Sequence, residues 1–440
     1  MIKYENYKPS GIEWLGEIPE HWEVKRIKDL GSLQNGISNG KDYFGFGSPF
    51  VSYGNIYNNT VELNLISTLA NSTKADQKLY SVLEGDIFFT RTSETINEIG
   101  ISATCKKTIP KATFSGFVIR FRPYRNRITK EFSDYFFKAH INRLFLSKEI
   151  SLVTRASLGQ GILNNLPVLI LPVSEQIAIA QYLDSKTQTI DKKIDILTRK
   201  TSLYKNLRKS IINDAVCRGL EKNTKLKDCG IDLIGLIPEH WEVKRIKDNY
   251  TLFTGNSISD KSLFENKANS IDYVSTKDID VNTCNINYDN GVYIPKSDKG
   301  FKIAKKNSIL LCLEGANAGK KIGYTEKDIC FVNKLCSIKS INKNSLDKYL
   351  FYYIQSPLFE RQFFATLNGL IGGVSLSSVK YFDVVEPTKE EQTKITEYLD
   401  EKTQKIDCIL DNIQNQIATL KELRKSLIND VVTGKIKVTV

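Results

Sequence analysis

Two stretches of the chain carry hydrophobic residues at a strict seven-residue interval. From 175 to about 217 no Pro or Gly interrupts, and Leu183, Ile190, Leu197, Tyr204 and Ile211 recur at every seventh position. Near the end Leu399, Ile406, Ile413, Leu420 and Leu427 do the same, with Leu410 and Ile417 supplying part of a second row. A sustained period of seven, rather than 3.6, predicts helices that supercoil about a partner. Some forty residues at 1.5 Å each make a rod of about 60 Å. The intervening regions are mixed. Short β-branched and aromatic runs such as FVIRFRP (117–123) read as strands, and an aromatic helix is predicted late in each region, over 134–145 and 348–359.

The chain also repeats itself. Residues 10–29, SGIEWLGEIPEHWEVKRIKD, match residues 229–248, CGIDLIGLIPEHWEVKRIKD, at fifteen of twenty positions, unbroken from Ile18 to Asp29. The seven-residue stretches match too: EQIAIAQYLD (175–184) with EQTKITEYLD (391–400), and LRKSIIND (207–214) with LRKSLIND (423–430). Between these anchors the resemblance is faint, as in FVSYGNI (50–56) against YVSTKDI (273–279). Each half therefore runs opening motif, variable region, long helix. The predicted division is a first mixed domain over 1–173, a first helix over 174–218, a second mixed domain over 219–388, and a second helix with tail over 389–440. Because the first helix leads into the second half, the two rods are expected to lie antiparallel, with the halves related by an approximate two-fold axis.

Bulk properties narrow the class. A chain of 440 residues exceeds one ordinary core, and 41% hydrophobic with 25% charged residues is a globular composition. No run of about 18 apolar residues predicts a membrane span, and the N-terminus lacks the apolar stretch of a secretory signal, so a cytoplasmic protein is expected. Eight cysteines form no C-x-x-C pair and only three histidines are present, which argues for reduced thiols and against a zinc site. A formal charge of +12 and a pI near 9.0 suit a polyanionic partner.

Together the paired IPEHWEVKRIKD stretches, the strand, polar-loop and Ile-Gly segments (85–100 and 307–323), and the paired helix openings from Pro172 and Pro387 resemble the specificity subunit of type I restriction–modification enzymes. The helix openings share EQ, then YLD-x-KTQ-x-ID. That resemblance implies an α+β chain with two mixed α/β target-recognition domains separated by two long antiparallel coiled-coil helices, in a pseudo-two-fold repeat. It implies a non-catalytic reader of a gapped, two-part double-stranded DNA target, with the helices as spacer and docking surface. The partners it implies are two adenine-methylating modification subunits and two ATP-driven restriction subunits. S-adenosylmethionine, ATP and magnesium belong on those partners, with no cofactor, metal or membrane for this chain. Unlike variable regions imply unlike half-sites and an asymmetric target.

Base reading favours Arg or Lys on guanine, Asn or Gln on adenine, and hydroxyls on phosphates and edges. The candidates sit in loops that differ between the parallel skeletons: Ser52, Tyr53, Asn55, Arg91, Thr92 and Ser93 in the first half, and Ser275, Lys277, Asp278, Asn317, Lys320 and Lys321 in the second. Arg120 and Arg122, with Arg125, read as a basic strand end suited to phosphates, and the LRKS segments as a surface for DNA backbone or a partner. Enzymatic alternatives lack their motifs. Glu23-Val24-Lys25 and Glu242-Val243-Lys244 supply E-x-K, but no Pro-Asp pair accompanies them, and both lie in the duplicated motif, where a structural role fits. Trp22 and Trp241 are expected as core anchors, with His21 and His240 packing or capping. GANAGKK (315–321) is one residue short of a phosphate-binding loop and has Lys321 where Ser or Thr should hold magnesium. No Pro-Pro exists for a methyltransferase loop.

Overall fold

A computed structural model of the chain describes residues 2–59, 61–93, 95, 98–124, 127–149, 156–221, 223–231, 234–367 and 372–438; Arg125 lies outside them. The chain divides into two compact units, Met1–Ile196 with Gln416–Val440, and Leu197–Asn415. Each long helix, Val173–Arg218 and Lys389–Val432, contributes a length to both.

The units share one topology. In the first, an antiparallel sheet runs in the order Gly31–Asn35, Val118–Pro123, Ile87–Thr90, Ser102–Thr104; in the second, Tyr250–Thr254, Leu335–Ser340, Ile309–Cys312, Ile322–Tyr324. Ile87–Thr90 and Ile309–Cys312 read as continuous apolar runs because both of their faces are covered. Ile87, Phe89, Ile119 and Phe121 point into the core that includes Phe132 and Phe136, whereas Phe88 and Val118 point into a second core with Val51 and Phe114. In the second unit Ile309, Leu311 and Ile338 face one core and Leu310, Cys312 and Leu335 the other. A second sheet, of three strands in the first unit and four in the second, contains a parallel pair in each, Phe44–Val51 with Thr113–Phe114, and Ser270–Val274 with Ile329–Phe331.

Where one aromatic helix is predicted late in each variable region, two short ones stand: Lys130–Phe136 with His140–Glu149, and Asp347–Ile354 with Pro357–Ala365. In the second unit the break follows from Ser356-Pro357. Proline lacks the N–H needed to continue a helix but suits the first position of a new one, where Pro357 sits.

The repeated opening motif forms a joint with the long helix of its own half. Trp22 and Trp241 are fully buried. Their Nε1 atoms donate to Glu175 (3.2 Å) and Glu391 (3.3 Å) in the first turns of the helices, and His21 and His240 place Nε2 2.9 Å from the same carboxylates. A carboxylate there also suits the positive end of the helix dipole. The next residues, Gln176 and Gln392, are buried and accept from the Thr129 and Leu346 amides, each at 2.8 Å. Further along, the Tyr135 and Tyr352 hydroxyls donate to Asp184 and Asp400, each at 2.6 Å. Beside the joint Glu23–Arg26 pairs with Pro167–Ile170, and Glu242–Arg245 with Asp383–Glu386. The E-x-K residues of these strands pair with each other, Lys25 with Glu23 and Lys244 with Glu242, each at 3.1 Å.

Along the first long helix a run of covered positions steps alternately by four and three, at Leu183, Thr187, Ile190, Ile194, Leu197, Thr201, Tyr204, Arg208, Ile211 and Ala215, with Ile212 and Val216 buried beside its end. The second repeats the pattern at Leu399, Thr403, Ile406, Leu410, Ile413, Ile417, Leu420, Arg424, Leu427 and Val431. Within the first unit Arg424 holds Asp191 (2.9 Å), and Ile179 and Leu183 share a core with Ile428 and Val432. Within the second unit Arg208 holds Asp407 (3.1 Å), and Ile212 and Val216 share a core with Leu399 and Ile395. Residue numbers rise along one helix as they fall along the other, so the paired segments are antiparallel in each unit. A shift of 216 takes Asp191 to Asp407 and Arg208 to Arg424, making the two ion pairs copies of one device. The LRKS arginines are therefore engaged within the protein. No helix among the described residues is long and apolar enough to cross a membrane.

The joint predicts a pH dependence. Burial opposes ionisation of Glu391, but hydrogen bonds from His240, Trp241 and Thr388 outweigh it and hold the carboxyl below its ordinary 4.5. A carboxylate with a lowered folded-state pKa contributes stability that is complete above the unfolded value and is lost as pH falls through the folded one. Denaturant midpoints should therefore drop below about pH 4.5 more steeply for the wild-type chain than for Glu391→Gln. Parallel curves for the two proteins would show that the joint does not rest on this charge.

Candidate nucleic-acid interface

The shared topology brings four loops together at one edge of each unit. In the first, Val51 lies opposite Phe114 in the parallel pair, so Ser52 and Ser115 leave the sheet side by side, and the Ser115 amide donates to the Val51 carbonyl at 3.0 Å. Thr90 lies opposite Val118, which sets Arg91 beside Phe117; the Arg91 amide donates to the Phe117 carbonyl at 2.9 Å and its Nη1 to the Gly116 carbonyl at 3.3 Å. Ile37 closes the group, bonded to Phe114 and Gly116. The second unit repeats this. Val332 donates to Val274 (3.0 Å), Leu313 to Lys334 (2.9 Å) and Asn256 to Phe331 (2.9 Å). Lys321 then ties its loop to the Thr276 carbonyl at 2.7 Å.

These loops hold most of the candidate residues, but they use them differently. Ser52 and Asn55 form a capping box on the helix Tyr53–Tyr57, with the Ser52 amide and hydroxyl 3.0 and 2.8 Å from Asn55 Oδ1. Ser275 and Asp278 form the same box, at 2.8 and 2.6 Å, and Asn290 adds a third bond to the Asp278 carboxylate. Asn55 and Asp278 are buried. In both boxes these side chains, expected to contact DNA, shape the loop, as S-x-x-N and S-x-x-D spacing does at a helix start. Tyr53 is half-buried and stacks on the exposed Tyr57, with ring centroids 6.2 Å apart. Burial pushes its phenol up, with Ser93 from the neighbouring loop pulling the other way. Thr92 and Ser93 pair with Ala156–Ser157, and Ser93 donates to Glu98.

Arg120 and Arg122, expected at a basic strand end, are both engaged within the protein. Arg120 is only 5% exposed, donates to the Ser81 carbonyl (2.6 Å) and to Gln34, and stacks on Phe114. Burial, against the pull of Asp86, pushes its guanidinium down to about 10. Arg122 clamps the buried Asp86 with two bonds of 2.6 Å. Arg120 therefore serves the interior, and the half-buried Arg122 spends its guanidinium on Asp86 and Ser81. In the second unit Lys277, Asn317 and Lys320 are exposed, whereas Lys321 is committed to Thr276. The GANAGKK loop has its own structural explanation. Gly319 sits at φ +72°, and a Cβ there would stand 2.6 Å from the Phe363 ring. Beyond it a cleft of about 420 Å³ is lined by Lys205, Lys209, Lys320 and Glu360.

Sequence reasoning missed the turns at 115–117 and 332–334. Phe117 is 64% exposed and Lys334 is exposed, each held against a candidate loop. The signal was present in the alignment of TFSGFV (113–118) with CFVNKL (330–335), which share a skeleton and differ at the tip. Among the described residues, no group of three His, Cys, Asp or Glu side chains is placed to hold a metal ion.

One scaffold is used twice in the chain and presents unlike polar loops at the same edge of each unit. The type I restriction modification DNA specificity domain matches residues 19–201 and again 238–419, and the chain belongs to that family. It is 24% identical over 449 residues to the putative type I restriction enzyme MjaX specificity subunit of Methanocaldococcus jannaschii, covering 100% of this chain and 98% of that one. The MjaIX specificity subunit of the same organism is 23% identical over 465 residues, covering 100% and 99%. Among solved structures, a chain from work on complex assembly and conformational transition of the type I R-M system shares the fold. Its TM-score is 0.71 at 12% identity, over 95% of this chain and 99% of that one. The HsdS subunit of Thermoanaerobacter tengcongensis gives 0.52 at 14% identity, over 95% and 98%.

The arginine assignments carry a test. Arg122→Ala strands the Asp86 carboxylate in the interior and should destabilise the chain by about 3–5 kcal/mol, read as a shift of the denaturation midpoint. A midpoint unchanged from wild type would return Arg122 to the surface.

Proposed function

We propose that the chain is the sequence-reading subunit of a type I restriction–modification complex and that each unit reads one half of an asymmetric, two-part DNA target. The carrying observation is the convergence of four loops at the same edge of both units, on one topology, with different residues at their tips. Identical loops would favour a symmetric target; Lys277, Asn317 and Lys320 in one unit against Tyr57, Thr92 and Ser93 in the other favour two unlike half-sites. The continuous long helices support a spacer role, their residue count fixing the gap between half-sites. Outward positions on the same helices offer the surface for modification subunits. Catalysis belongs to partners in this reading: two modification subunits with S-adenosylmethionine for adenine methylation, and two restriction subunits with ATP and magnesium, acting in the cytoplasm.

Co-expression with the cognate modification subunits, followed by genome-wide mapping of methylated adenine, tests the reading. One asymmetric sequence of two short blocks with a constant gap is expected. Methylation without sequence preference, or a palindromic target, would overturn it. A separate expectation concerns the spacer. Four residues, just over one helical turn, inserted into either long helix should lengthen the gap and leave both blocks unchanged. A changed block with an unchanged gap contradicts the spacer role.

A further inference from the structure

The turn that joins the parallel strand to the central strand is held by several bonds within the loop cluster. In the first unit the Gly116 amide donates to the Ile37 carbonyl at 2.7 Å, the Phe117 amide to Ser115 Oγ at 3.2 Å and the Val118 amide to the Ser115 carbonyl at 3.0 Å. The outward carbonyls of Gly116 and Phe117 are taken by Arg91. A Cβ on Gly116 would meet Ser38 Oγ at 2.0 Å and the Ile37 carbonyl at 3.2 Å, so the Ser38 side chain would have to turn away. With every one of these groups paired, the backbone fixes the direction of one residue, Phe117. Its ring is 64% exposed although the neighbouring Phe114, Val118 and Ile119 are fully buried. In the second unit the residue at this place is Lys334, whose carbonyl accepts from Leu313 as that of Phe117 accepts from Arg91.

An apolar ring held out on a stiff turn, among loops rich in hydroxyls and amides, cannot form an ion pair with a phosphate. It can cover the methyl group of a thymine on the edge of a base pair, the apolar feature the major groove offers. A lysine at the same point is a mobile charge suited to the backbone. Resting on the reading of the two units as DNA readers, we infer that this turn is a direct DNA contact of different chemistry in the two halves. Phe117 makes a salt-insensitive apolar contact with a thymine methyl in one half-site, and Lys334 makes a salt-sensitive phosphate contact beside the other. The turn is thus a specificity-determining position in the first unit and an affinity-determining one in the second.

The test uses the complete chain assembled with its modification subunits and duplexes carrying the mapped target, with binding followed between roughly 50 and 200 mM salt. Phe117→Ala should weaken binding by roughly tenfold, the scale of one large apolar contact, with the log–log salt slope unchanged. Replacing the contacted thymine by deoxyuridine should weaken the wild-type complex similarly and the Phe117→Ala complex no further. Lys334→Ala should weaken binding to all sequences and reduce the salt slope by about 1. Phe117→Lys, which imports the second unit's residue at an exposed position, should raise the slope by about 1 and relax methylation at one position of the first half-site only.

A complex without preference for its mapped target over a scrambled duplex would sink the reading of the units as DNA readers. A complex that keeps that preference, while Phe117→Ala binds and methylates as wild type, would sink this inference alone. So would a Lys334→Ala complex with an unaltered slope, or a wild-type complex indifferent to every deoxyuridine replacement.

Discussion

The architecture depends on the need of a buried indole N–H for an acceptor. Trp22 and Trp241 have no access to water, and an unpaired donor in such a place costs on the order of 1–3 kcal/mol. The acceptor in each unit is a glutamate in the first turn of a long helix. Satisfying the ring therefore fixes where that helix begins against the globular part. The adjacent histidine, the buried glutamine that follows and the tyrosine–aspartate bond further along add directions to the same attachment. A helix fixed at several points along its length cannot swivel against its domain.

Much of this was legible in the chain because it is written locally. The seven-residue period is a property of consecutive residues, and the duplicated motif needed no structure to be seen. What the duplication was for was less legible, since the partner of Trp22 lies 153 residues away. The reading loops were legible as places but not as side chains. Arg120 and Arg122 looked like a basic rim because a strand's amino acids do not announce whether its second face is covered. Their alternation with Phe121, on a strand flanked by apolar runs, was the sign that it would be. Ser52 with Asn55 and Ser275 with Asp278 carried the spacing of a helix cap, and that local use of the side chains prevailed over any outward one.

The two units show how one scaffold is given different chemistry. Most interior positions of the central strands stay apolar in both, Ile87 and Phe89 answering to Ile309 and Leu311, while the buried Arg120 has the buried Ser337 at its place. Differences gather at strand ends. Arg91 stands where the second unit has Leu313, and Arg122 and Lys339 reach carboxylates on different elements, Asp86 and Asp347. The main-chain bonds between the loops recur in both units, whereas the side-chain ties, Arg91 to Gly116 in one and Lys321 to Thr276 in the other, differ.

The duplicated motif also bears on heredity. Its unbroken run from Ile18 to Asp29 recurs from Ile237 to Asp248, and the glutamate it grips is present at the head of both helices. A crossover between genes of this kind, falling within those matched stretches, would deliver a foreign variable region with its socket already cut to fit. New lexicons could then be assembled by shuffling whole readers, with no need to reinvent the fastening that holds them.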